Sequence, residues 1–324
     1  MVKELRQFWD SLPHKLAVVI LLGAWVALFE YFGMAQLYWL PTPSLFKFVY
    51  HVLLEAARTD MDDQLGLWMP LLFLFFIVYR RQELTLRGPV QPSWVAVGLV
   101  LCALALHYVA YLVQQHGISS IAFLVGVYGL TGVIWGREWL HRSFFPFIIL
   151  AFMVPTDQYL EMPTFRLRHY SATAATWIGQ TVFNLPLLRQ GTMVSATNAK
   201  GTPLFQFDVV AACSGIRSLK VILLLTVIYG FLQFKSAWRR WVILAFAPVL
   251  ALSGNICRLV CTFVVGEAWG QRVASALESK LGFITFGVAL GGVVLVARWL
   301  REPVAPQKPE GAPPTSLPVS HPIS

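Results

Sequence analysis

Apolar runs and short polar clusters alternate along the whole chain. Eight runs are long and apolar enough to be candidate membrane spans, at about 15–33, 64–79, 94–113, 118–136, 143–156, 210–233, 241–266 and 282–299. A helix needs roughly 20 apolar residues to cross the hydrocarbon core, or fewer where neighbouring helices shield it. The pattern therefore predicts an all-α fold, a polytopic transmembrane bundle of about eight spanning helices.

Two further segments have helical periodicity but too many polar residues for a span. In 44–57 the apolar positions recur at helical spacing around Lys47 and His51, and in 164–184 a helix begins near Arg166 and Arg168. Amphipathic helices of this kind lie in the membrane interface or enter it partway. We expect one or two interfacial or re-entrant helices here.

The basic residues predict the orientation of the spans. They cluster between apolar runs, as Lys3, Arg6 and Lys15; Arg80, Arg81 and Arg87; Arg137 and Arg142; Lys235, Arg239 and Arg240; and Arg298, Arg301 and Lys308. Cytoplasmic loops of membrane proteins carry an excess of lysine and arginine. Placing every cluster inside gives an even number of passes with both termini in the cytoplasm, and leaves 34–63, 157–209 and 267–281 outside.

The longest of these outer connections, 157–209, contains turn-forming glycines and prolines around two short candidate strands, Thr192–Ala196 and Leu204–Val209. It belongs to a single membrane domain that we place at 1–301. The proline-rich remainder, 302–324, has no apolar face to bury, so we expect a disordered cytoplasmic tail.

Composition excludes several other classes of protein. The chain is 57% hydrophobic and 13% charged, whereas a soluble domain carries about 25% charged residues. The formal charge of +9 is spread over loop clusters, so nucleic-acid binding is not expected. The four cysteines, Cys102, Cys213, Cys257 and Cys261, form no CxxC or Cys/His metal spacing. We expect no metal and no cofactor.

Cys213 is the first candidate for chemistry. It lies with Ser214 at the outer end of the sixth predicted span, and Arg217 and Lys220 follow at i+4 and i+7 on the same helical stripe. Cations below a thiol and a helix N-terminus beside it both favour the thiolate, as an activated nucleophile requires. The plainer interpretation is a small apolar filler.

Two ionisable residues are predicted at a similar depth. Arg258 lies about 18 residues, or roughly 27 Å, beyond Arg240 along the seventh span, and Asn255 could orient it. Glu278 precedes the eighth span. An arginine that snorkels to the interface and a solvated loop carboxylate remain the plainer interpretations of the two. Four histidines, His51, His107, His116 and His169, have no local partner in the sequence, and a structural role is the default for each.

The run Val209–Leu219 (VVAACSGIRSL), the arginine in Gly254–Leu259 and the upstream Phe152–Thr156 (FMVPT) resemble the exosortase/archaeosortase family. The resemblance covers most of the chain and is most specific across 145–290. It implies a polytopic membrane cysteine transpeptidase or protease. Its partners would be anchored proteins whose C-terminal sorting signal holds a short proline-containing motif, a membrane helix and a basic tail.

The family site comprises a cysteine in an ACSG-like motif, an arginine in an NxxR-like motif and a histidine before the last helix. By position these become Cys213 and Arg258, but the third position holds Glu278, and no histidine occurs between 170 and 320. Either Glu278 replaces the histidine, or a distant histidine such as His169 does, or the activity is changed or lost.

The resemblance thus implies an enzyme at the outer face of a bacterial inner membrane that cleaves sorting signals through a thioester. Two alternatives stay open. One is a non-enzymatic member that serves as a membrane component of envelope or exopolysaccharide assembly. The other is a transporter, although transporters place polar groups near mid-bilayer, whereas here they crowd the outer end.

Overall fold

Helices dominate the computed structural model, which describes residues 2–33, 42–58, 62–85, 90–154, 157–197, 203–208 and 215–300. Within these ranges there are ten α-helices, a 3-10 helix at Asp62–Trp68 and three short strands. The helices are α1 (Val2–Ser11), α2 (Lys15–Tyr31), α3 (Leu45–Arg58), α4 (Met69–Tyr79), α5 (Arg81–Leu84), α6 (Trp94–Val113), α7 (His116–Ala151), α8 (Asp157–Val182), α9 (Gly215–Gln233) and α10 (Ala237–Trp299). The expected tail, 302–324, lies outside the described residues.

The prediction of a mostly helical membrane protein is confirmed in its coarse form. Four described helices are long and apolar enough to cross a membrane: Trp94–Val113, His116–Ala151, Ala237–Leu277 and Lys280–Trp299. Leu65–Tyr79 and Leu219–Gln233 are apolar but shorter. The amphipathic segment 44–57 is helical, as α3, and the segment 164–184 lies mostly within α8.

The two longest helices are hairpins, each broken at a glycine. Gly136 in α7 has φ 85° and ψ −177°, and Gly270 in α10 has φ 81° and ψ 173°. This region of backbone conformation is essentially restricted to glycine. After each break the helix folds back on itself: Tyr128 donates a hydrogen bond to the Leu140 carbonyl at 2.5 Å, and Val293 packs with Ile243. The predicted outer connection 267–281 is therefore helical on both sides of Gly270.

One end of the bundle collects the basic clusters. Arg81 pairs with Glu4 at 2.7 Å, Arg142 donates to the Glu83 carbonyl at 2.6 Å, and the Arg137 amide donates to the Gln91 carbonyl at 3.3 Å. Phe234 and Leu300 share one hydrophobic cluster, which brings the end of α10 back to its beginning. We call this the basic end, and the Gly270 turn lies at the opposite end.

Small residues set the packing of α9 against both arms of α10. Ile222 of α9 is buried together with Ala247 and Ala251 of the first arm and Ala289 of the second. A Cβ placed on Gly292 would come within 2.4 Å of Leu250. Small side chains let helix backbones approach closely, which is how helices associate inside a membrane.

A small antiparallel sheet covers α8 and α10. Its strands β1 (Leu187–Gln190), β2 (Met193–Thr197) and β3 (Pro203–Asp208) pair in sequence order. One face is apolar and packs against Ala172 and Ala175 of α8 and Phe263 of α10. The two predicted strands are confirmed, and β1 is additional, since its four residues show no clear alternation in the sequence. The all-α description omitted this sheet.

The Gly270 turn gives a first prediction. Gly270→Ala should destabilise the protein by about 1–3 kcal/mol, because alanine must adopt a backbone conformation that essentially only glycine tolerates. No atom lies within 4 Å of the added Cβ, so a steric clash would not contribute to the loss. Reversible unfolding in mixed micelles measures this change. Gly291→Ala is the matched control: it also meets open space, in the middle of a helix, and should be neutral or mildly stabilising. Equal stability of the two variants would contradict the assignment of strain to Gly270.

Candidate active site

The packing of α9 against the two arms of α10 brings three chain positions to one level. Ile222, Ala251 and Ala289 lie in one packed layer. Gly215 is seven residues before Ile222 in α9, and Arg258 is seven residues after Ala251 in the first arm of α10. Glu278 is eleven residues before Ala289 in the second arm. At 1.5 Å per residue these steps cover about 10, 10 and 16 Å in the same direction. The start of α9, Arg258 and position 278 therefore lie within about one helical turn of each other along the bundle.

Arg258 lies on the α9-facing side of the first arm. It follows Ala247, Ala251 and Asn255 at helical spacing, and Asn255 is buried. The arginine is half-buried, its Nε atom is enclosed by protein, and Thr262 Oγ1 donates to its carbonyl at 3.0 Å. The interior position of Nε fits a role between the helices, and the snorkelling arginine stays the alternative interpretation.

The predicted nucleophile, Cys213, and its neighbour Ser214 lie outside the described residues. The backbone of Arg217 belongs to the first turn of α9, and its side chain is also outside the description. Lys220, the third member of the predicted stripe, is 8% exposed. Charged side chains are costly inside a membrane and are functional candidates by default, so Lys220 remains a candidate.

The face of α9 that carries Lys220 differs from the face that contacts α10. The stripe continues from Lys220 to Leu224 and Val227, which pack against α4 and the second arm of α7, whereas Leu219 and Ile222 contact α10. Lys220 and Arg258 are therefore on different sides of α9: Lys220 is on the face towards α4 and α7, and Arg258 belongs to the helix that packs on the other face.

Position 278 lies on the inward-facing stripe of the second arm. Ala274 precedes it by one turn and is fully buried, and Leu281 follows it and is also buried. Further along the second arm, towards the basic end, the same stripe contains Ala289 and Val293, which are also buried. The backbone of Glu278 is therefore on a core-facing row, although its side chain lies outside the description.

His169 and position 278 are each about one helical turn along the chain from a member of one apolar cluster. Ala172, one turn after His169, and Ala274, one turn before position 278, belong to the same apolar cluster, together with Leu259 next to Arg258. His169 is half-buried in α8. Positions 169 and 278 are thus both within about one helical turn, along the chain, of the cluster that borders Arg258.

The other three histidines considered in the sequence lie in a different part of the bundle. His107 Nδ1 is 2.9 Å from Ser119 Oγ, and the His116 ring lies 3.9 Å from the Phe48 ring, centroid to centroid. These contacts join α3, α6 and α7. His51 is exposed on α3.

Gln271 makes a contact near the candidate site that the sequence did not reveal. Directly after the Gly270 turn, its side-chain amide pairs with the backbone of Gln206 in β3: the Gln206 amide donates to Oε1 at 2.8 Å, and Nε2 donates to the Gln206 carbonyl at 3.1 Å. Gln271 thus takes the place of a neighbouring strand at the edge of the sheet. We call this pair of hydrogen bonds the Gln271 clamp. Because β3 ends at Asp208, the clamp holds the strand that directly precedes the 209–214 segment and Cys213 in the sequence.

Glu267 was expected in an outer loop but lies in the first arm of α10. It is half-buried, and its Oε2 atom is enclosed without a hydrogen bond to any residue that the structure describes. The spacing of Val260, Phe263 and Glu267, at i, i+3 and i+7, would have revealed this inward-facing position.

The comparisons with known proteins agree with this helical architecture. The sequence model of the transmembrane exosortase family (Exosortase_EpsH) matches residues 57–295. The chain therefore belongs to the exosortase family of multi-pass membrane proteins, whose members are generally transpeptidases. No curated protein and no solved structure matches the chain.

The Gln271 clamp gives a second prediction. In Gln271→Ala the Gln206 amide should exchange its hydrogen at least tenfold faster, because it loses its acceptor, as residue-resolved hydrogen exchange would measure. Gln271→Glu keeps an acceptor oxygen and loses only the donor, so most of the protection should remain. The amide of Val194, in the central strand, is the internal control and should not change. Equal protection in all three proteins would show that the clamp does not hold β3.

Proposed function

We propose that this protein is a membrane cysteine transpeptidase or protease that cleaves a C-terminal sorting signal of exported proteins. In this proposal about eight helices span a bacterial inner membrane, both termini and the basic end face the cytoplasm, and the site faces outward. The spans are α2, α4, α6, both arms of α7, α9 and both arms of α10.

The observation that carries the proposal is the common level of Gly215, Arg258 and position 278, at the end opposite the basic clusters. Cys213 directly precedes α9, so it would reach this level from the N-terminal end of that helix. The positive-inside rule then directs the site outward, where an exported substrate with a membrane anchor presents its motif.

The chemistry follows from the residue types. The Cys213 thiolate would attack the scissile carbonyl carbon, and the tetrahedral oxyanion would be stabilised by the Arg258 guanidinium. Collapse of the intermediate breaks the C–N bond, and the leaving amine takes a proton from a general acid. The thioester then passes its acyl group to water or to an acceptor amine, which returns the thiolate.

The general acid would be Glu278 or His169. A carboxyl group ordinarily titrates near pKa 4.3 and a thiol near 8.5, so glutamate is a poor base for a neutral thiol. A thiolate already stabilised by Arg217, Lys220 and the N-terminus of α9 requires a proton donor more than a base. Burial favours the protonated form of a carboxyl group, which is the form that donates.

The third prediction tests the nucleophile. Cys213→Ser should abolish shortening of co-expressed proteins that carry a C-terminal anchor, because a serine hydroxyl needs a strong base to ionise it, whereas the proposed mechanism relies on cations that stabilise a thiolate. Immunoblotting of the substrate measures the shortening. Cys257→Ser and Cys261→Ser are matched controls in the first arm of α10 and should retain most activity. Normal processing by Cys213→Ser, at equal expression, would refute the thiol mechanism.

The fourth prediction separates the two candidates for the general acid. If Glu278 fills this role, Glu278→Ala should slow processing about 10²–10⁴-fold, and Glu278→His should retain activity, because imidazole titrates near neutrality. If His169 fills it, His169→Ala should be severe and Glu278→Ala nearly silent. The exposed Glu55 of α3 provides a control in Glu55→Ala, which should process substrate normally. Normal processing by both Glu278→Ala and His169→Ala would exclude both residues.

One observation favours a second function. The family histidine is absent at position 278, so this member could have kept the fold as a non-enzymatic component of envelope or exopolysaccharide assembly. In that case Cys213→Ser and wild-type protein would behave alike in every processing assay, while deletion of the protein would still impair the assembly.

A further inference from the structure

A groove with a cationic mouth opens between helices at the basic end, away from the proposed site. Its volume is about 620 Å³, and it lies among the start of α6, the turn of α7, the last turns of α9 and the start of α10. Its mouth carries Arg137, His141 and Arg240, and its walls include Tyr128, Phe144 and Trp241. None of the lining residues that the structure describes is aspartate or glutamate.

The groove continues along the bundle as an apolar trough. A second cavity of about 170 Å³ shares Tyr128, Phe144 and Ile148 with the first, and its described lining is apolar apart from the tyrosine hydroxyl. The trough runs between the two arms of α7, from the basic end towards Ile121 and Ala151. One continuous depression therefore has a positive end and an apolar end.

One of the two arginines of the mouth is held by its neighbours. Arg240 Nε donates to the Phe234 carbonyl at 2.8 Å, and its guanidinium lies 4.6 Å from the centre of the Phe231 ring. Glu138, the carboxylate next to Arg137 in sequence, pairs instead with Arg142. The positive charge of the mouth is therefore not cancelled by this carboxylate.

Exposed tryptophans place the mouth at the depth of lipid headgroups. Trp94 begins α6 and is 84% exposed, Trp299 ends α10 and is 79% exposed, and Trp238 and Trp241 are exposed at the start of α10. All four lie at the basic end. Tryptophan is enriched at the interface between hydrocarbon and headgroups, so Arg137 and Arg240 are at the level of phosphates and the trough is at the level of acyl chains.

We propose that this groove binds one anionic phospholipid, with its headgroup phosphate between Arg137 and Arg240 and an acyl chain in the trough between the arms of α7. Basic pockets between membrane helices on the cytoplasmic side recognise anionic headgroups in this way. The membrane anchor of a substrate is the less favoured occupant, because its basic tail would meet a mouth of like charge. The site is independent of the proposed cleavage chemistry.

The test is native mass spectrometry of the detergent-purified protein with equal amounts of dioleoyl phosphatidylglycerol and dioleoyl phosphatidylcholine. The first bound lipid should be phosphatidylglycerol, with at least tenfold preference. In Arg137→Gln/Arg240→Gln this preference should fall at least tenfold. The control Arg239→Gln/Arg298→Gln removes two charges from the same end outside the groove and should keep it.

Arg240 also contacts Phe234 and Phe231, so its replacement could impair folding. A second variant that keeps both arginines distinguishes loss of lipid binding from misfolding. Val95 lines the groove and is 64% exposed, so Val95→Trp should fill the groove from its open side and displace the lipid while both arginines remain. An excess of inorganic phosphate should not displace the lipid, because the trough contributes to binding. Equal binding of the two lipids, an unchanged preference in both groove variants, or displacement by phosphate would each overturn the proposal.

Discussion

Close contact between small residues determines where everything else in this bundle lies. Inside a membrane, lipid chains are as apolar as leucine, so helices associate through tight packing rather than through exclusion of water. Ala247, Ala251 and Ala289 provide that packing around Ile222. Because each residue advances a helix by a fixed 1.5 Å, this one layer fixes the depth of every position above it, including Arg258.

The two glycine breaks determine which residues lie at each end of the bundle. Gly136 reverses the chain at the basic end, and Gly270 reverses it at the other end. Each arm returns beside the one before it, so the basic clusters collect at one end and the residues with candidate chemistry at the other. The Gln271 clamp, directly after the second break, then joins the sheet to the same turn.

The sequence predicted those features that depend on local composition. Apolar runs located the helices, and the basic clusters indicated one common end, because hydrophobicity and charge are properties of single residues. It did not predict that the 267–281 connection is helical, since one glycine in a polar stretch does not reveal its φ. Gln271 was also missed, because pairing with Gln206 joins residues 65 positions apart. Glu267 was read as a loop residue although its periodicity with Val260 and Phe263 was available.

In the proposed site, a glutamate at position 278, where the resemblance to the family implies a histidine, would change the balance of charge. Arg258 and Lys220 are cations in a largely apolar bundle, where each charge is costly unless an anion or a dipole compensates it. A neutral histidine would leave that positive charge to stabilise a thiolate and an oxyanion. An ionised glutamate would instead form an ion pair with one of the cations and weaken thiolate formation. In the proposed mechanism, catalysis would therefore require either that Glu278 acts in its protonated form or that a cation other than the one it pairs with remains for Cys213. Lys220 and the α10 contacts lie on separate faces of α9. The proposed mechanism therefore assigns separate roles to the two cations: Arg258 would balance Glu278, and Lys220 would act on the thiol.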